Sequence, residues 1–164
     1  MLIQLKLKNI ALIEIIEINF DKGLNILTGD SGSGKSLILD SLNVLFGGTN
    51  IPIKHLIRPG KEDCLIEAKF STSYQIKNWL TNNGFKELCS ELKVKRHSYK
   101  KNNKIISKYT LNNLSINKRS LEELGRLLLD FAGQSDTVLF DSQEYRRSII
   151  DDLGSTEFQK TNLD

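Results

Sequence analysis

The sequence predicts an α/β fold built around a glycine-rich loop, and three observations carry that prediction. The segment Gly29-Asp30-Ser31-Gly32-Ser33-Gly34-Lys35-Ser36 has the spacing Gly-x-x-x-x-Gly-Lys-Ser. A short apolar run, Gly23-Leu24-Asn25-Ile26-Leu27-Thr28, leads into it and reads as a strand. An amphipathic stretch follows from Lys35 to Phe46, with Leu37, Ile38, Leu42 and Leu45 at helical spacing, and Gly47-Gly48 ends it.

Each part of the loop has a chemical reason. Gly29, Gly32 and Gly34 allow the backbone to curl around an anion in conformations that a side chain would oppose. The curl turns several N–H groups inward, and the helix that begins at Lys35 adds the positive end of its dipole. Lys35 places a point charge where β- and γ-phosphates would lie, and the Ser36 hydroxyl is placed to ligate Mg²⁺. The segment thus points to the phosphates of a nucleotide, ATP with magnesium.

The remaining elements follow in order. Leu2, Leu5 and Leu7 sit among polar residues, and Ile13 to Phe20 repeats the alternation, so two strands with a turn near Asn9 to Leu12 are expected. Thr49 to Glu62, with Pro52 and Pro59, reads as an irregular loop. Cys64 to Phe70 alternates as a strand, and Tyr74 to Leu80 reads as a short helix stopped by Asn82-Asn83-Gly84. The runs Leu92 to Arg96 and Lys104 to Tyr109 flank Lys101-Asn102-Asn103, the pattern of a hairpin. Ser120-Leu121-Glu122-Glu123 has the form of a capping box opening a helix. Leu127-Leu128-Leu129 reads as a buried strand or a helix end, Ser142 to Leu153 as a helix, and the tail from Gly154 as frayed.

Composition narrows the function classes. The 164 residues suffice for one domain with a real core. A net charge of +3 does not by itself demand a nucleic-acid partner, but it permits one if the basic residues cluster. Cys64 and Cys89 have neither metal spacing nor a bridge framework and read as two reduced thiols. No run reaches the ~18 consecutive apolar residues of a membrane span.

Several segments together resemble the bacterial DNA repair protein RecN family. They are Asn9-Ile10-Ala11-Leu12-Ile13, Ile18-Asn19-Phe20, Gly23 to Ser36, Gly47-Gly48, Ile57-Arg58-Pro59-Gly60, Leu124-Gly125-Arg126-Leu127-Leu128 and Gly133-Gln134. The phosphate loop is common to many families, and the later pairs are the specific part. The resemblance implies an SMC-like, ABC-type ATPase fold. The expected piece is the N-terminal lobe, with antiparallel β-hairpins and a central sheet around the phosphate-loop helix. It assigns residues 1–153 to that lobe and 154–164 to the start of a coiled coil. It implies a cytoplasmic, nucleoid-associated protein of double-strand-break repair and recombination. Its partners would be DNA, a C-terminal lobe and a second head.

The resemblance also gives Gln134 a role. In such ATPases a glutamine reaches the metal and the γ-phosphate, and an amide oxygen is a neutral ligand that can disengage. On the residues alone, Gln134 is a surface residue in a Gly-Gln-Ser turn. The family's usual flanking histidines are here Ala132 and Ser135, which leaves the local contacts open.

Two parts of a working ATPase are missing from the sequence. One is an apolar strand ending in Asp-Glu, and the other is a signature loop of the Ser-Gly-Gly type. Leu127-Leu128-Leu129-Asp130 is followed by Phe131, and Asp151-Asp152 follow only two apolar residues at helical spacing. Leu114-Ser115-Ile116-Asn117 lacks both glycines. The resemblance places the missing parts beyond a coiled coil, so the chain is expected to be a fragment or a truncated gene product, and an ATPase half-site. Other readings are the head of another SMC-like or ABC-type ATPase, a small phosphate-loop kinase with Arg146-Arg147 as its lid, or a non-catalytic remnant. Lys93, Lys95, Arg96, Lys100, Lys101, Lys104 and Lys108 crowd one hairpin. Strand alternation sets Lys93, Lys95 and His97 on one face, and Lys93, Lys95 and Arg96 either meet DNA phosphates or keep a solvated edge from pairing. Arg58 is either near nucleotide or DNA, or a plain surface residue.

Overall fold

A run of alternating strands builds most of the molecule. The computed structural model describes residues 1–30, 32, 34–48, 52–85 and 90–129, all within one compact unit, Met1–Asp130. Strand β1 (Leu2–Ile10) turns at Ala11-Leu12 into β2 (Ile13–Asn19), and β3 (Asp63–Ser71) pairs with the other side of β1. Strands β4 (Glu91–Lys101), β5 (Lys104–Leu111) and β6 (Leu114–Ser115) complete a six-stranded antiparallel sheet in the order β2-β1-β3-β4-β5-β6. Two Asn-Asn pairs make its tight turns. Asn102 and Asn103 have φ of 50° and 58°, and Asn112 and Asn113 have φ of 46° and 69°. These left-handed angles are ones that asparagine tolerates better than other side chains.

The period of two divides the sheet into unlike faces. Leu5, Leu7, Ile66, Ala68, Phe70, Leu92 and Val94 are buried on one side. Helix α1 (Lys35–Leu45) lies on β3 and β4 there, and α3 (Tyr74–Asn82) packs against α4 (Lys118–Leu128). Along α1 the buried residues are Ile38, Ser41, Leu42, Val44 and Leu45. Three of the four expected from spacing are among them, while Leu37 is half-buried at the phosphate-loop cavity. Cys64 is a free thiol on the same face, and burial pushes it up to about 11, so it stays protonated.

Three expectations need correction. The run Gly23 to Thr28 is not a sheet strand. Asn25 instead stitches a local turn, accepting from the Asp21 amide at 3.0 Å and donating to the Asp21 carbonyl at 2.9 Å. Leu24 and Ile26 are 87% and 72% exposed. An extended run becomes a strand only where a neighbour satisfies its backbone, and no described strand lies beside it. The loop after α1 contains a short helix, α2 (Ile53–Leu56). Helix α4 begins two residues before Ser120, because the Asn117 side chain takes the Ser120 amide at 2.8 Å and serves as the cap. Leu127-Leu128 end α4, the helix end that is one of the two readings of this run. Ser31, Ser33, Cys89, Asp130, Gln134, the 142–153 helix, the 153/154 boundary and the 154–164 tail lie outside the described residues.

Gly125 is a packing residue. A Cβ there would stand 2.7 Å from Phe46 Cβ and 2.8 Å from its Cγ. Phe46 cannot easily give way, since its buried ring is edge-on to Phe70 with centroids 5.7 Å apart. Gly125→Ala should therefore destabilise the fold by about 1–2 kcal/mol, overpacking outweighing the ~1 kcal/mol gain in helix propensity. A lower urea midpoint with unchanged slope would bear this out, and an unchanged or higher midpoint would refute it.

Candidate nucleotide site and basic sheet face

The phosphate loop closes onto the start of α1. Gly34 caps that helix with φ 95° and ψ 6°, and Gly32 has φ 82°. Both are left-handed angles at which glycine carries no steric cost. Hydrogen bonding inside α1 begins with the Ile38 amide donating to Gly34 O at 3.2 Å, which leaves the preceding amides of the first turn without an intrahelical acceptor. Lys35 Nζ donates to the carbonyls of Gly29 and, at 2.7 Å, Asp30. The ammonium is thereby held across the mouth of its own loop.

The β1–β2 turn forms the opposite wall. A cavity of about 430 Å³ is lined by Ala11 and Leu12 on one side and by Gly32, Gly34, Lys35 and Ser36 on the other. Arg58 fixes that turn, with Nη1 donating to Leu12 O at 2.5 Å and Ala11 O at 3.3 Å. Ile10 also bridges to Ile57, and the Arg58 amide donates to Asn9 O at 2.9 Å. Sequence reasoning left Arg58 open between nucleotide, DNA and surface. The structure places it in support of the turn that faces the phosphate loop. No spacing rule could have shown this, because the partners are carbonyls 46 and 47 residues away. A larger cavity of about 690 Å³ is lined by Arg58 but by none of the phosphate-loop residues.

The Ser36 hydroxyl sits in the first turn of α1, exposed at the cavity wall. Among the described residues no group of three or more His, Cys, Asp or Glu is placed to hold a metal. The donor set fits a magnesium ion that keeps several waters and binds chiefly to phosphate oxygens, with one hydroxyl from the protein. It does not resemble an all-protein cage.

The other face of the sheet is polar and mostly basic. Lys93 and Lys95 lie on it together with His97, as alternation predicts, and register sets Lys69 beside Lys93 and Lys108 beside His97. Acids temper the charge. Lys93 pairs with Glu67 at 3.2 Å, Lys6 with Glu17 at 3.3 Å, and His97 with Asp63 at 3.1 Å. The His97 hydrogen bond, aided by Asn9 and by the charges of His97 and Lys8, outweighs desolvation and holds the Asp63 carboxyl below its ordinary range. Arg96 does not belong to this face. It points the opposite way, is 8% exposed, and donates to Val44 O, Ser98 Oγ and Ser107 Oγ beneath the ring of Tyr109. Its expected place among DNA contacts is corrected, since an odd step along a strand changes face.

Comparison with known proteins gives this geometry a family. Residues 4–162 match the family model described as AAA domain. The chain belongs to that family. It is 34% identical over 155 residues to the DNA repair protein RecN of Synechocystis, covering 94% of this chain and 26% of the relative. Against the DNA repair protein RecN of Bacillus subtilis the identity is 30% over 161 residues, covering 97% of this chain and 27% of the relative. The chain thus spans about a quarter of the length of these curated relatives. The fold matches a structure solved in work on ATP-driven dimerization and DNA stimulated activation of SMC ATPases. That match has a TM-score of 0.64 and 22% identity, and covers 93% of this chain and 98% of the other. The fold is shared with that structure, and it is the α/β phosphate-loop architecture that the RecN resemblance implies.

Proposed function

We propose that this chain is the ATP-binding N-terminal lobe of a RecN-like ATPase acting in DNA double-strand-break repair and recombination, in the cytoplasm on the nucleoid. The observation that carries this reading is the single cavity shared by the glycine-capped start of α1 and the Arg58-held β1–β2 turn. In this reading phosphates meet the loop amides and Lys35, and Ser36 holds magnesium. The Leu12 side offers an apolar wall to the rest of the nucleotide. Gln134 joins as the ligand that senses the γ-phosphate. Magnesium supplies charge neutralisation across the phosphates. The test is calorimetric titration with Mg-ATP against Mg-AMP. Saturable binding of ATP alone supports the reading, while equal or absent heats for both would remove it.

A second lobe belongs to the same proposal. Exposed apolar surface at Leu24, Ile26 and Leu39 is costly to leave in water. The curated relatives are nearly four times as long as this chain. In this reading the C-terminal lobe of the same polypeptide covers that surface and gives the Gly23 to Thr28 backbone the strand neighbour it lacks among the described residues. That lobe brings the acidic strand and the signature loop, and a second head completes the site.

The basic sheet face is the proposed DNA contact, through Lys93 and Lys95. Reversing both to Glu should weaken duplex binding by about tenfold or more, each lost phosphate contact also flattening the salt dependence. Fluorescence anisotropy from about 50 to 200 mM salt measures both quantities. An unchanged affinity and slope would leave the two lysines as solvated residues that keep the sheet from pairing.

A further inference from the structure

Arg96 is a buried cation with no carboxylate beside it among the described residues. The other inward residues of β4 include Leu92 and Val94, both fully buried. The described groups that meet the Arg96 guanidinium are all neutral. Nε donates to Ser98 Oγ at 3.4 Å, Nη2 to Ser107 Oγ at 3.2 Å and Nη1 to the Val44 carbonyl, and the Tyr109 ring centroid lies 5.2 Å from Cζ. The two serines face each other across β4 and β5, with Oγ atoms 2.7 Å apart. A well-packed apolar residue would cost less in such a place, and desolvation lowers the arginine's pKa accordingly. Core stability alone therefore does not account for a charge here.

The third partner supplies a reason. Val44 lies in the last turn of α1, and its carbonyl also accepts the Gly47 amide at 3.1 Å. The first turn of the same helix presents Lys35 and Ser36 to the nucleotide cavity. Eleven residues separate the ends by about 16 Å. A guanidinium at the negative end of the helix dipole complements an anion at the positive end. Its planar fork also ties the helix to two strands at once, which a flexible ammonium cannot do as firmly.

We propose that Arg96 is a positioning residue for the nucleotide site, anchoring the C-terminal end of α1 to the β4–β5 hairpin and so fixing where Lys35 and Ser36 stand. The proposal rests on the nucleotide reading above. It assigns the β4–β5 hairpin a mechanical link to the phosphate loop, with basic residues of one face and the anchor of the other alternating along a single strand.

Arg96→Met and Arg96→Lys test it, titrated with Mg-ATP at a temperature where circular dichroism shows each variant folded. The methionine variant should raise Kd about tenfold, and the lysine variant less, since lysine still reaches one acceptor. Amide hydrogen exchange without nucleotide gives an independent reading. Exchange at Ile38 and Leu39, next to the loop, should accelerate along with exchange at Gly47 and Gly48. A lower melting temperature with unchanged Kd and with faster exchange confined to Gly47 and Gly48 would reduce Arg96 to a structural strut. If the methionine variant does not fold, the lysine variant decides on the same two readouts. If the wild type shows no Lys35-dependent binding, the nucleotide reading fails. The Ile38 exchange rate then still shows whether Arg96 positions the first turn.

Discussion

Replacing Lys35 with alanine is expected to weaken Mg-ATP binding by about tenfold to a hundredfold, the effect of losing a charge-assisted hydrogen bond of roughly 1.5–3 kcal/mol. The magnitude follows from preorganisation. Lys35 Nζ is already drawn across the loop by the Gly29 and Asp30 carbonyls. It therefore needs only a short excursion to meet β- and γ-phosphate oxygens. Gly32 and Gly34 meanwhile hold the backbone in its curled form. Alanine keeps the helix, being its best former, and removes the charge. Calorimetry of both proteins with Mg-ATP is the measurement, and thermal melts must first show that the variant is folded. Equal affinities would remove the phosphate-loop assignment, because nothing else at the described cavity wall supplies a formal positive charge to the phosphates.

Much of the lobe is legible because its signals are periodic or local. The hairpin turning at Ala11-Leu12, the helix from Lys35, the strand through Cys64 and the hairpin around Asn102-Asn103 all follow from alternation, helical spacing or turn chemistry. The residues that alternation handles least well are those whose neighbours are distant. Gly23 to Thr28 has the composition of a strand, but pairing is a property of two segments, and only one is described. Arg96 lies in a run of lysines and reads as their companion. Only the odd step along β4 and an acceptor 52 residues away, Val44 O, separate it from them. Gly125 reads as part of a family motif, while its physical role is to let α4 approach Phe46. The candidate site divides the same way. Its loop is local in sequence and was legible, whereas the Arg58-held turn that completes the cavity depends on contacts that no spacing encodes.

Holding Mg-ATP is only part of phosphoryl transfer, so the chain is expected to bind ATP and hydrolyse it negligibly. The attacking water must be oriented, and the charge on the γ-phosphate must be met from the far side. The described walls of the cavity offer amides, one hydroxyl and one ammonium, and no carboxylate. A missing oriented donor alone costs about 10²–10³ in rate, and two functions are missing. Supplying a C-terminal lobe with a signature loop and an acidic strand should therefore raise turnover by at least a hundredfold, and Gln134→Ala should then slow it. That last substitution tests the metal role expected of a residue that lies beyond the described part of the chain. The decisive quantity is phosphate release from the chain alone at saturating Mg-ATP, with Lys35→Ala as the control for contaminating enzymes. Turnover that is robust and lost in the control would mean that Asp130 or the Asp151-Asp152 pair is a working acid. The split-head reading would then give way to a self-contained ATPase or kinase.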